Sequence, residues 1–175
     1  MKSLYLLRHA KSSWSEPGLS DRERPLANRG LHDAPMMGER FNARGENVDR
    51  IISSPALRAC TTAELFAETA GFSPAEVVVE PDLYFLGSGS IEDVILNQDD
   101  QLQSIILVFH NPDITHFVNS IDYEVNIDNV PTSGLIKLDC DIEHWRDWSI
   151  DSTAFDYFDY PKNPTGEVKR AAPQA

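Results

Sequence analysis

Apolar residues fall along the chain in short runs, and their spacing switches between a two-residue and a three-to-four-residue period. Lys2–Leu7 reads as a buried strand ending at Arg8-His9. Residues 11–27 are polar, carry Pro17, Gly18 and Pro25, and read as a loop. A helical pattern follows from Asn28 to Ala43. Asn28 would be its N-cap and Arg44-Gly45 its stop, and Pro35 predicts a kink or a late start. Asp49–Ser53 is a short strand. Ser54 and Pro55 then have the residue types of an N-cap and first helical position, opening a helix to Ala70 that Gly71 ends. Glu76–Glu80 is a further strand, and Ser90-Ile91-Glu92-Asp93 has the form of a capping box for a helix to Leu96. Ser104–Phe109 is the clearest buried strand, rich in β-branched and other apolar residues. His110-Asn111-Pro112 repeats the turn-then-proline signal before a helix to Ser120. Leu135–Leu138 and Trp145–Ile150 are predicted strands. Phe155–Tyr160 alternates apolar and acidic residues and is expected to dock on the body of the domain.

Strands alternating with helices predict an α/β fold: a three-layer sandwich with a mostly parallel central sheet and helices on both faces. One domain is expected over residues 1–160, followed by a mobile tail over 161–175. Parallel sheets of this kind bind ligands outside the carboxyl ends of their strands. Three predicted strand ends carry polar chemistry: Arg8-His9, Ser53-Ser54 leading to Arg58, and His110.

Composition narrows the function classes. The 175 residues are 41% hydrophobic and 25% charged, enough for one core without staples. The net charge of −13 repels nucleic acid and anionic membrane, so neither is expected as a partner. An anion site in such a chain has to be built locally. No apolar run approaches the ~20 residues of a membrane span, and the N-terminal run is too short for a signal peptide. Cys60 and Cys140 form no metal-spaced pair, and two reduced thiols in a cytoplasmic protein are expected.

Taken singly, Arg8-His9, Arg58 and His110 read as solvated loop or helix residues. Together they describe a phosphate pocket. Arg58 lies in the first turn of its helix, where free N–H groups and the helix dipole favour anions. Guanidiniums match phosphate oxygens with paired donors, and a neutral imidazole can attack phosphorus and carry the phosphoryl group.

These residues sit in motifs that resemble the histidine phosphatase (phosphoglycerate mutase-like) superfamily. They are Leu7-Arg8-His9-Ala10-Lys11, Arg24-Pro25-Leu26-Ala27-Asn28-Arg29-Gly30, Ser53-Ser54-Pro55-Ala56-Leu57-Arg58-Ala59 with Thr61-Thr62-Ala63, His110-Asn111-Pro112, and Pro131-Thr132-Ser133-Gly134. The ordered set is most similar to the short branch typified by the SixA phosphohistidine phosphatases. The resemblance implies a phosphatase that needs neither metal nor other cofactor. His9 would be the nucleophile that becomes phosphohistidine. Arg8, Arg58 and His110 would bind the phosphoryl oxygens, with help from backbone amides near Asn111 or Ser133. Ser12 and Ser15 stand where relatives carry Thr and Asn, and are expected to be solvated loop residues.

One position departs from that pattern. Where many relatives place a general-acid Glu, this chain has Phe85, and the nearby carboxylates Glu80, Asp82 and Glu92 read as solvated charges. General acid help is typically worth ~10²–10⁴-fold, a loss that a labile P–N bond feels less than an alkyl phosphate. The expected partner is therefore a phosphorylated protein bearing phosphohistidine, with a small phosphorylated molecule second. A phospho-binding module without turnover, and a metal hydrolase using His9, His110 and Asp113, are the rivals. The remaining histidines, His32, His116 and His144, read as surface or packing residues, and Trp145 and Trp148 as packing.

Overall fold

A computed structural model of the chain describes residues 1–84 and 90–168. Among these residues six strands form one sheet: β1 (Lys2–Arg8), β2 (Arg50–Ser53), β3 (Val77–Val79), β4 (Ser104–Phe109), β5 (Leu135–Cys140) and β6 (Thr153–Asp159). Their spatial order is β3-β2-β4-β1-β5-β6. The pairs β2–β3, β2–β4 and β1–β4 are parallel, whereas β5 runs antiparallel to both β1 and β6. The sheet is thus mixed: a parallel body with an antiparallel extension at one side.

Among the described residues four α-helices, α1 (Asn28–Ala43), α2 (Leu57–Ala70), α3 (Ser90–Leu96) and α4 (Asp113–Ile121), cover the two faces. The two-residue period of the strands divides the core. Leu4, Leu6, Ile105, Leu107 and Phe109 join Ile95, Ile114, Val118 and Trp145 in one cluster. Tyr5, Leu7, Ile106 and Val108 join Met37, Phe41, Ala63 and Phe66 in the other. Successive side chains of one strand therefore anchor α3 and α4 on one face and α1 and α2 on the opposite face.

α1 and α2 approach closely at Gly38. A Cβ there would run into the Thr69 hydroxyl and the Phe66 carbonyl oxygen, and Thr69 Oγ1 donates to Pro35 O at 2.7 Å. Pro35 neither delays the start of α1 nor ends it. The N-cap is Ala27 rather than Asn28, and α2 begins at Leu57 because Ser54 and Pro55 remain in the turn.

The expected strand over Trp145–Ile150 is not formed. Trp145–Asp147 is a single 3₁₀ turn whose Trp145 ring is fully buried, its Nε1 donating to Leu102 O at 2.9 Å. The last strand lies later, at Thr153–Asp159, on the edge of the sheet, with Tyr157 in one core cluster and Phe155 and Phe158 packed on the other. Residues 161–168, the first part of the expected tail, lie against α1. Arg40 donates to the carbonyls of Tyr160, Pro161 and Asn163 at 3.0, 3.3 and 3.1 Å, and Val168 packs on the second cluster.

Candidate active site

Parallel pairing brings the carboxyl ends of β1, β2 and β4 to one edge of the sheet. There the chain places His9, Ser54 and His110. The His9 main-chain N–H donates to Phe109 O at 3.1 Å and the Ser54 N–H to Val108 O at 2.9 Å, so the three turns are bonded to one another.

His9 Nδ1 lies 2.8 Å from the Ala10 carbonyl oxygen. A carbonyl only accepts, so Nδ1 carries the proton and Nε2 keeps its lone pair. Burial drives the His9 imidazole down to about 3; the Ala10 bond works against this, and the charges at His110, Arg58 and Arg8 reinforce it. The His110 ring sits 5.1 Å from that of His9, centroid to centroid. His110 Nε2 is 2.7 Å from Ser54 Oγ, which itself accepts from the Ala56 N–H at 3.3 Å. Where the Ser54 hydroxyl donates to Nε2, His110 carries its proton on Nδ1, which is buried and without a hydrogen-bond partner among the described residues. Burial, then Arg58 and Arg8, push His110 to about 4 against the opposing pull of Asp21.

Arg58, in the first turn of α2, is 7% exposed. Its guanidinium donates to Asp21 O at 2.6 Å and to Asp21 Oδ2 at 3.0 Å. Partial burial would raise the Asp21 carboxyl, but hydrogen bonds from Tyr84 and Arg58, the Arg58 charge, and Arg24 hold it at about 2. Arg8 donates through Nη1 to Val130 O at 2.8 Å, its Nε is buried without a partner among the described residues, and burial lowers its pKa. The edge therefore carries two guanidiniums and two neutral imidazoles. One imidazole has a free lone pair at Nε2, and the other a buried Nδ1 without a partner among the described residues. That set can hold a tetrahedral anion and offer it a nucleophile.

The four expected residues come together. The expected helper at Ser133 does not have a free amide: its N–H donates to Arg8 O and His9 O at 3.1 and 3.2 Å. Those bonds hold Ser133 at φ 60, a left-handed conformation costly for a residue with a Cβ, and fasten the segment before β5 to the nucleophile turn. Asn111 uses its side chain on Asn129, Val130 and Thr115. Ser12, expected to be solvated, is buried and bonded by the Arg24 guanidinium, because the loop folds back in an isolated bridge to Leu26. Ser15 is exposed and bonds Ser13. Gly30 allows α1 to pack on this turn, since a Cβ there would strike the Lys11 carbonyl oxygen.

Three contributors were absent from the sequence reading: Asp21, Ser54 as the partner of His110, and Tyr84, whose ring stands edge-on to His110 at 5.8 Å. Asp21 falls in a charged run and Tyr84 beside a Pro-Asp turn, so only tertiary contact reveals them. Glu80 accepts from the Asp82 N–H, Asp82 and Glu92 are exposed, and none of the three bonds His9, Arg58 or His110. Phe85 lies outside the described residues. Among the described residues no group of three or more His, Cys, Asp or Glu side chains is arranged to hold a metal ion, Asp113 included. His32 is exposed beside Asp33, and His144 pairs with Asp100 at 3.0 Å. No helix of the described residues is long and apolar enough to cross a membrane.

The chain is similar to known proteins in sequence and in fold. The family model of the histidine phosphatase superfamily (branch 1) matches residues 4–105. An uncharacterized chloroplastic protein of Arabidopsis thaliana is 35% identical over 115 residues, 65% of this chain and 50% of its own, so the chain spans about half the length of that relative. The structure of the protein histidine phosphatase SixA complexed with tungstate superposes with a TM-score of 0.78 at 20% identity, covering 92% of this chain and 98% of that one. A provisionally named phosphohistidine phosphatase SixA from Agrobacterium tumefaciens superposes with a TM-score of 0.76 at 28% identity, covering 91% and 98%. With the family match spanning more than half the chain and the whole sheet edge in place, this protein belongs to the histidine phosphatase superfamily, branch 1.

Proposed function

We propose that this chain is a phosphatase that works through a phosphohistidine at His9. The observation that carries the reading is the bond from His9 Nδ1 to Ala10 O, which commits the lone pair to Nε2 beside His110 and the arginines. In the first step Nε2 attacks phosphorus, the N–P bond forms and the bond to the leaving group breaks. Arg8, Arg58 and the His110 Nδ1–H stabilise the charge on the phosphoryl oxygens. In the second step a water oxygen attacks phosphorus, the N–P bond breaks, and the electron pair returns to Nε2. Inorganic phosphate takes up the oxygen and the site loses the remaining water proton to solvent.

The favoured substrate is phosphohistidine on a protein. A protonated or readily protonated imidazole leaves from a labile P–N bond with little help, which suits a site where the carboxylate bonded to Arg58, Asp21, is held ionised by its partners. The likeness to the Agrobacterium SixA protein supports the same choice. A small phosphorylated metabolite is the second reading, and the reaction is read as metal-independent, with Arg8 and Arg58 neutralising the phosphoryl charge. The two free cysteines, Cys60 and Cys140, suit the reducing cytoplasm.

The test is incubation with a phosphohistidine protein and with a panel of small phosphate esters, in the presence of chelator, with acid-labile phosphate trapped on the enzyme. Label on His9, and loss of turnover by at least about 10³-fold in His9→Ala with tungstate binding retained, is the expected result. Turnover surviving in His9→Ala, or label on another residue, overturns it.

A further inference from the structure

Beside the nucleophile turn the charge of the protein reverses. A cavity of about 400 Å³ borders Arg8 and is lined further by Lys11, Arg29, Asp33, Thr132 and Lys162. Four cationic residues face one carboxylate there, in a chain of net charge −13. The carboxylate is spoken for in part: Asp33 Oδ2 lies 3.8 Å from Arg29 Nε. Lys11 and Lys162 are exposed and form no ion pair among the described residues.

The four cations come from three segments, and each segment is fixed. Lys11 follows the nucleophile turn, its carbonyl accepting from the Ala27 N–H at 2.8 Å. Arg29 opens α1 and donates to Thr132 Oγ1 at 3.2 Å, in the segment that Ser133 ties to Arg8 and His9. Lys162 stands between Pro161 and Asn163, whose carbonyls Arg40 holds. Gathering like charges around one hollow is unfavourable without an anion to neutralise them, and the remainder of this acidic surface would repel one. Arg8 belongs both to this cavity and to the set around His9.

We propose that the cavity binds a second anionic group, a carboxylate or a phosphate ester, carried by the same molecule whose phosphoryl group enters the His9–His110 site. The inference rests on the phosphatase reading and deepens it: the substrate class is polyanionic, either a small phosphorylated acid or a phosphohistidine segment flanked by Asp or Glu. Selectivity resides in Lys11, Arg29 and Lys162, which lie outside the reacting centre.

The test is equilibrium binding to the full chain carrying His9→Ala, so that no ligand is consumed. The probes are phosphate monoesters of ω-hydroxy carboxylic acids of increasing chain length, each compared with the alkyl phosphate of the same length. A second arm compares phosphohistidine-analogue peptides flanked by Glu with the same peptides flanked by Gln. The expected result is a gain of about tenfold or more for the acid over its neutral counterpart in at least one arm, and the arm identifies the source. That gain should fall below about threefold when Lys11→Gln, Arg29→Gln and Lys162→Gln are combined, and should shrink in the single charge reversal Lys162→Glu, an exposed position that leaves folding undisturbed. Alkyl phosphates and neutral peptides binding as well as their acidic counterparts overturns the cavity proposal alone. A gain that survives the triple substitution overturns it as well. Failure of every probe to bind overturns the phosphate pocket itself, and the second subsite with it.

Discussion

Asp21 holds Arg58 at two points, with its main-chain oxygen 2.6 Å from Nη1 and its carboxylate 3.0 Å from Nη2. The main-chain bond fixes the guanidinium regardless of the side chain, while the ionised carboxylate competes with any incoming phosphate. Asp21→Asn keeps the first and removes the second. Screening at this half-exposed carboxylate limits the electrostatic gain to about 1 kcal/mol, and the inhibition constant for inorganic phosphate or tungstate should fall roughly fivefold. Weaker inhibition in Asp21→Asn would show that the carboxylate is needed to present Arg58.

The acid limb of the pH profile should lie far below the ordinary imidazole range. His9 and His110 are held at about 3 and about 4, so both are neutral from neutral pH down to about 5. Once corrected for substrate ionisation, kcat/KM should stay level from pH 8 to 5 and decline only below about pH 4. A limb centred between pH 6 and 7 would contradict the burial of these rings.

The same two shifts act on stability. Unfolded histidines take up protons near 6.5, and the folded ones do so only near 3 and 4, so the unfolded chain binds more protons between those values. The contribution of the buried neutral rings is complete above pH 6.5 and is lost as pH falls toward 4. Asp21, held at about 2, begins to matter only below its ordinary value of 3.8. The urea midpoint should therefore fall between pH 6.5 and 4.5, and fall less in a His9→Asn chain.

Ser54 acts through His110. Removing its hydroxyl in Ser54→Ala deprives Nε2 of its partner and frees the ring to exchange tautomers. Loss of one hydrogen bond of about 1–1.5 kcal/mol corresponds to roughly tenfold in kcat. The nitrogen chemical shifts of His110 should change from a single tautomer to a mixture, a signature that a simple loss of packing would not produce.

Gly38 tests the helix layer. Alanine is the better helix former by ~1 kcal/mol, yet at Gly38→Ala the new methyl meets the Thr69 hydroxyl and the Phe66 carbonyl, and α1 must move off α2. Urea denaturation should show a net destabilisation of about 1–3 kcal/mol. A neutral or stabilising result would show that the two helices tolerate the separation.

Much of this molecule was legible in the sequence. Ser104–Phe109 and Asn28–Ala43 form over the residues whose spacing predicts them, because a long apolar run or a sustained period leaves one buried arrangement. Trp145–Ile150 misled, because large apolar residues satisfy a single tight turn over the core as well as a strand. The alternation at Phe155–Tyr160 carried the strand signal instead.

What the sequence by itself determined is the inventory of the site and its order along the chain: Arg8, His9, Arg58 and His110, each after a predicted strand, where a parallel sheet must expose them together. Tertiary structure alone decided how those groups are poised. The proton on His9 is placed by a carbonyl one residue away, the His110 ring is held by Ser54 from another strand end, and the Arg58 guanidinium is oriented by Asp21, 37 residues earlier. Protonation state and side-chain direction depend on burial and on partners distant in sequence, and neither leaves a periodic trace in the residues themselves.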